Sequence, residues 1–227
     1  MRNDYPEITE KINNIGTTAF GSCPNLKTLK YPITSITFTT DIFTGSTKLN
    51  TIEIYGTGSM QPYTHGNQPW NSIKNQIEII TFGEGIDRIG NYSFEETGKL
   101  HTINWGGVKQ IGEQSFASSG LANVSISTSV TTIETNAFKN CKSLTTVEYP
   151  VSATSYSTNI FEGCEKLTTL KIIGEGSMKN CTTETDQPWN SIRKQITTII
   201  IGDQVTTIGA YSFVETSITT IEIPASV

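Results

Sequence analysis

Basic residues, histidines and long apolar runs are scarce in this chain of 227 residues, and each shortage removes a class of function. Sixteen Lys and Arg stand against 21 Asp and Glu, for a net charge of -5 and a pI near 5.1. With no basic run to displace counterions from phosphates, nucleic acid is excluded as a partner. No apolar stretch is long enough to span a bilayer, so no membrane span is expected. The opening Met1-Arg2-Asn3-Asp4-Tyr5-Pro6 lacks the apolar core of a secretion signal, which leaves a mature chain, a fragment or export by another route. The two histidines, His65 and His101, fall in different contexts and make no catalytic set. Four cysteines occur without a C-x-x-C spacing, which argues against zinc or redox chemistry. Gly56-Thr57-Gly58 and Gly83-Glu84-Gly85 lack the remaining glycine of a phosphate-binding loop and read as turns. The expectation is a non-enzymatic protein with no cofactor and no metal.

What the chain has in abundance is self-similarity. Val130 to Pro150 carries apolar residues at Val130, Ile133, Ala137, Phe138, Cys141, Leu144, Val147 and Tyr149, a spacing that neither one helix nor one strand places on a single face. Leu144, Val147 and Tyr149 suit a short strand, and Ala137 to Cys141 a tight helical or 3₁₀ turn. Strand triplets of this kind recur from Leu26/Leu29/Tyr31 to Ile218/Ile221/Ile223, giving about nine coils. An aromatic keeps step in every coil: Phe20, Phe43, Trp70, Phe94, Phe116, Phe138, Phe161, Trp189 and Phe213. The fold class is therefore an α/β repeat solenoid, predominantly β. One coil cannot bury enough apolar surface to offset its own ordering, so the coils must stack, at about 4.8 Å each, into a parallel sheet about 40 Å long.

A longer period overlies the first. Ile15 to Met60 matches Ile133 to Met178 at a shift of 118, and Gln68-Pro69-Trp70-Asn71-Ser72-Ile73 returns as Gln187-Pro188-Trp189-Asn190-Ser191-Ile192 at a shift of 119. We expect one solenoid over residues 1–227, with super-repeat copies at about 12–129 and 130–227 and inserted loops at 56–69 and 174–188. Ile8 to Ile12 matches Ile126 to Val130, so the first residues are expected to lie within a strand. Neither end carries a polar cap, which predicts a piece of a longer array or self-association through uncapped ends.

The segment Ile12-Asn-Asn-Ile15-Gly16-Thr-Thr-Ala19-Phe20-Gly-Ser-Cys23-Pro-Asn-Leu26-Lys-Thr-Leu29 carries the I-x-x-I-G-x-x-A-F-x-x-C-x-x-L-x-x-I pattern most fully. With it the chain resembles the BspA-like leucine-rich repeat proteins over essentially its whole length. The resemblance implies a right-handed leucine-rich repeat array of parallel strands, with short helical or 3₁₀ turns on the opposite side. It also implies a surface protein, extracellular or at the cell surface, that mediates protein–protein interaction in adhesion to host cells or to extracellular matrix such as fibronectin. A structural spacer or assembly module of a longer array is the alternative. Departures from the pattern are the long coils before Trp70 and Trp189, and Ser115-Phe116 and Ser212-Phe213 where Ala-Phe is usual.

Cys23, Cys141 and Cys164 share one core column, which reads as packed thiols, although a Cys141–Cys164 disulfide is open at this spacing. Cys181 falls in the second loop and is expected at the surface. One outward strand column is mostly threonine, at Thr28, Thr51, Thr102, Thr146, Thr169, Thr198 and Thr220, interrupted by Ile79 and Asn123. Its neighbour is too charged and irregular for ice binding, but its Lys30, Glu53, Glu148 and Lys171 are rigidly placed candidates for partner contact. The two loops give the sharper expectation, since one frame encloses two different tips. Tyr63, His65 and Asn67 in the first, and Lys179, Glu184 and Asp186 in the second, are the candidate binding residues. Asn91, Asn123 and Asn180 head N-x-S/T triplets, and are candidate N-glycosylation sites in an exported eukaryotic chain.

Overall fold

A computed structural model describes residues 12–34 and 36–227, so the expected strand at Ile8 to Ile12 lies almost wholly outside the described residues. The strand triplets form parallel ladders in the expected register. Thr28–Pro32 pairs with Thr51–Tyr55, which pairs with Ile79–Phe82 and then Thr102–Asn104. Asn123–Ser125, Thr146–Pro150, Thr169–Ile173, Thr198–Ile201 and Thr220–Glu222 continue in the same way. Alternation decides which side chains go in: Leu29, Tyr31, Ile52, Ile54, Val147 and Tyr149 are buried, while Lys30, Glu53 and Glu148 face out.

Among the described residues the strand face is therefore two sheets, of four and five strands, with the boundary between Thr102–Asn104 and Asn123–Ser125. The coil from Leu100 to Leu121 is 21 residues, against 23 from Leu121 to Leu144. Trp105 occupies the boundary, buried, and donates its indole N–H to the Ser125 carbonyl at 2.7 Å. Gly106 follows at φ +51°, and an added Cβ there would stand 2.2 Å from the Phe82 carbonyl oxygen. Only glycine tolerates both the left-handed backbone and that approach.

A second parallel ladder, absent from the sequence reading, bridges this boundary. Gly58–Ser59, Ile86–Ile89, Gln110–Ile111, Thr132–Ile133 and Ser155–Tyr156 pair in order along another side of the solenoid. The third side is the turn. Its backbone bonds run between coils rather than within a helix: Phe94 N–H donates to Ser115 O at 2.8 Å, Phe116 N–H to Ala137 O at 2.9 Å, and Phe138 N–H to Ile160 O at 3.0 Å. Residues four apart bracket the buried aromatic in the left-handed region, as at Asn136 (φ 58°) and Asn140 (φ 57°), which turns alternate N–H groups toward the next coil. Among the described residues, 3₁₀ helices form at Asn71–Gln76 and Asn190–Gln195, the two coils with inserted loops.

The aromatic column runs through the centre. Stacked rings join Phe20 to Phe43, then separately Trp70 to Phe94, Phe116, Phe138 and Phe161 in sequence, and separately again Trp189 to Phe213, at centroid distances of 5.0 to 5.8 Å. The cysteine column beside it does more than pack. Cys141 Sγ donates to Phe116 O at 3.3 Å and Cys164 Sγ to Phe138 O at 3.0 Å, just as Ser46 Oγ donates to Phe20 O at 2.7 Å. All four cysteines are free thiols.

Candidate partner-binding loops

The inserted loops leave the solenoid through frames that agree bond for bond. Gly56 and Gly58 take φ +116° and +107°, and Gly174 and Gly176 take +99° and +105°. Ahead of each aromatic, a buried glutamine donates back to the scaffold, Gln68 to Tyr92 O and Gln187 to Tyr211 O. Trp70 donates its indole N–H to Ser93 O at 2.7 Å, and Trp189 to Ser212 O at 2.9 Å. The edge contact of Tyr31 on Trp70, 5.5 Å and 89°, is repeated by Tyr149 on Trp189 at 5.5 Å and 87°. Both frames carry an ion pair at the same place, Lys74–Glu96 and Arg193–Glu215, and in each the cation holds the glutamate's carboxyl below its ordinary range.

Within this common frame the tips differ. The first is pinned to the scaffold by Glu95, a buried carboxylate. Gly66 N–H donates to Oε1 at 2.7 Å, Gln68 Nε2 reaches the same oxygen at 2.9 Å, and His65 Nδ1 lies 2.8 Å from Oε2. That hydrogen bond and the carboxylate charge raise the His65 pKa above its usual value. In the second loop Val214 replaces Glu95, and the tip closes on itself. Asp186 Oδ2 accepts from Thr182 N–H at 3.0 Å and Oγ1 at 2.9 Å, which lowers the Asp186 pKa.

The expected contact residues fall on both sides of the surface. His65, Asn67, Lys179 and Glu184 are exposed and Asp186 is partly so, whereas Tyr63 is 7% exposed with its ring wedged at 6.0 Å from Phe38 and 5.8 Å from Trp70. Tyr63 thus anchors its tip from beneath, because the coil must cover its tryptophan. The expectation of a surface Cys181 is corrected: the residue is 4% exposed, at the matched position, with its thiol 3.6 Å from the Tyr156 hydroxyl. Burial pushes its pKa up, away from reactivity.

On the strand face the candidate charges meet one another across adjacent coils. Lys30 stands 3.6 Å from Glu53, and Lys171 2.8 Å from Glu148. Lys171 and then Ser125 lower the Glu148 pKa. Of the triplet asparagines, Asn91 accepts from Arg88 at 2.7 Å, Asn123 accepts from Thr145 Oγ1 at 3.2 Å on the strand face, and Asn180 is exposed while accepting from Ala210 N–H at 2.8 Å. The histidines remain apart, His65 on Glu95 and His101 on Thr102. Among the described residues, no His, Cys, Asp and Glu group of three or more could hold a metal ion, and no helix is long and apolar enough to cross a membrane.

Stacked coils, parallel ladders and a central aromatic column define a leucine-rich repeat solenoid. The chain belongs to the BspA type leucine rich repeat family, whose model matches residues 4–108, 66–185 and 109–227. Among solved structures, a leucine-rich repeat protein from Bacteroides ovatus is similar at 17% identity and TM-score 0.53, covering 93% of this chain and 52% of its own. A leucine rich cell surface protein from Faecalibacterium prausnitzii is similar at 16% identity and TM-score 0.47, covering 72% of this chain and 52% of its own. The chain thus spans about half the length of these structures, and the likeness is one of fold. No match was found among curated proteins.

Proposed function

We propose that this chain is a non-enzymatic, surface-displayed solenoid that binds a protein partner through its two inserted loops, in adhesion to host cells or to extracellular matrix such as fibronectin. The observation that carries the reading is the pair of matched frames holding unlike tips, one clamped by Glu95 and one closed by Asp186. A scaffold that repeats its supports and varies what they present is suited to recognition, since rigid elements fix where the variable side chains stand. The adhesion and the surface location rest on the family's character. A spacer in a longer array is the second reading, favoured by the strand-face charges, which neutralise one another between coils.

The test is direct binding to purified fibronectin and other matrix proteins, with the exposed tips 64–67 and 182–186 exchanged in a second protein. Loss of about tenfold or more in affinity on exchange is expected. Unchanged binding after exchange would set the loops aside.

A further inference from the structure

The two frames differ at one buried position in a way that leaves space. Tyr63 N–H donates to Asn91 O and Cys181 N–H to Ala210 O, each at 3.0 Å, so the two residues leave the backbone at the same point of the frame. Three residues earlier, Met60 N–H and Met178 N–H are tied alike, to Arg88 O at 3.0 Å and Thr207 O at 2.9 Å. The walls are shared as well: Tyr31, Phe38, Met60 and Trp70 correspond to Tyr149, Tyr156, Met178 and Trp189. In the first frame the Tyr63 ring fills the volume between them and Met60 is buried. In the second a thiol stands where the phenol ring would be, and Met178 is partly exposed.

The volume is not wholly taken up by collapse. An open-mouthed hollow of about 20 Å³ remains, lined by Tyr149, Tyr156, Met178, Lys179, Cys181 and Trp189 among others. That is room for about one water, too little for a ring while Lys179 stands at the mouth. The Lys179 ammonium lies 4.7 Å from the Tyr156 ring centroid and donates to Thr154 O at 2.9 Å. Both contacts are those of an exposed side chain with many rotamers, so swinging it aside costs little. Lys179 also matches Gln61, whose side chain sits beside the Tyr63 phenol and offsets part of the rise that burial causes in its pKa. A cationic donor thus stands where a phenol oxygen would arrive.

We propose that the hollow beside Cys181 receives a tyrosine side chain presented by a protein partner, the ring entering where Tyr63 sits in the first frame and its hydroxyl accepting from Lys179. That a protein supplies the ring rests on the protein-binding reading; the match of the Cys181 position with that of Tyr63 does not. The incoming phenol would supply the contacts that Tyr63 makes in its own frame, edge-on to the tryptophan and to the aromatic at the Tyr156 position.

The methionines report on the two frames separately. In protein labelled with ¹³C at the methionine methyls, p-cresol and N-acetyl-tyrosinamide are expected to shift the Met178 resonance saturably while Met60 stays still. Toluene, which has no hydroxyl for Lys179, is expected to bind more weakly than p-cresol. Cys181→Tyr should abolish the Met178 response and raise the melting temperature. Tyr63→Cys should confer a response on Met60. A Met178 signal unmoved by p-cresol, equal shifts at both methyls, or a Cys181→Tyr protein that responds as the parent does would overturn the proposal. Cys181→Tyr leaves residues 64–67 and 182–186 in place, so full-strength matrix binding by this variant would overturn the role of the hollow and leave the loop reading standing. Failure of the loop reading shows separately, as binding unaltered by tip exchange.

Discussion

Glu95 and His65 meet across the base of the first loop, with Nδ1 2.8 Å from Oε2 of a carboxylate that is itself buried. The imidazole is largely exposed, so Glu95 holds an exposed surface segment through a histidine, whose charge depends on pH. The same carboxylate accepts from Gly66 and Gln68, which keeps it satisfied out of water.

The pair sets the pH response of the loop. Its hydrogen bond and charge raise the His65 pKa in the folded chain, with Glu96 adding to the effect and Lys74 opposing it. A raised histidine pKa contributes stability that is full below the unfolded value of about 6.5 and is lost as pH rises through the folded value. An NMR titration of His65 is expected to give a midpoint above 6.5, and Glu95→Gln to bring it down. The urea midpoint of the parent should fall across the same interval, and that slope should be smaller in Glu95→Gln.

Phe116 is fully buried, stacked at 5.8 Å on Phe94 and 5.4 Å on Phe138, with Trp105 edge-on at 5.9 Å. Phe116→Ala removes a ring from the middle of the column and leaves a cavity that rigid neighbouring coils cannot close. Denaturant unfolding should show a loss of about 3–5 kcal/mol.

Gly106→Ala places a methyl 2.2 Å from Phe82 O and 2.6 Å from Gly83 O, both backbone atoms, in a left-handed conformation. Backbone cannot yield as a side chain can. The variant should lose about 3 kcal/mol or more, or fail to fold, whereas Gly98→Ala, where no atom lies within 4 Å, should be close to neutral by thermal melting.

The thiol of Cys141 is a hydrogen-bond donor as well as a packed group, with Ser119 Oγ 3.2 Å away and Phe116 O accepting at 3.3 Å. A hydroxyl can take over, since Ser46 already serves in this column. Cys141→Ser is expected to be tolerated better than Cys141→Val, which removes one of the two donors to the Phe116 carbonyl, the Ser119 N–H at 3.2 Å remaining, and loses about 0.5–1.5 kcal/mol. Alkylation in denaturant, followed by intact mass, should count four free thiols, and native protein should protect Cys141 and Cys164.

Much of the scaffold was legible because two independent signals kept step. The L-x-x-I-x-I strands and the aromatic column fixed the register, and the pairing of Thr28 with Thr51 and of Thr146 with Thr169 follows it. The second ladder was hidden because its strands are two to four residues long, and Ile111 or Ile133 alone reads as a turn residue. The surface placement of Cys181 failed because loop position was allowed to stand for exposure. Its match with Tyr63, three residues past Met60 as Cys181 is past Met178, carried the better signal, since two residues at one point of a duplicated frame share their burial. Glu95 was missed for a like reason. An acidic residue whose counterpart is Val214 points to a buried site with a special partner.

The boundary between Thr102–Asn104 and Asn123–Ser125 bears on how the molecule comes apart. In a one-dimensional stack, cooperativity passes from coil to coil through the interface between neighbours. Here the strand ladder is missing, while the second ladder joins Ile89 to Ile111 and the turn bonds join Phe94 to Ser115. At the inserted coils the strand ladder runs unbroken, as from Thr51 to Ile79 and from Thr169 to Thr198, while the aromatic stack is interrupted. The defects are staggered around the circumference, so among the described residues no single interface loses every connection at once. Like offset joints in masonry, this arrangement lets the stack accommodate irregular coils without acquiring a plane of cleavage.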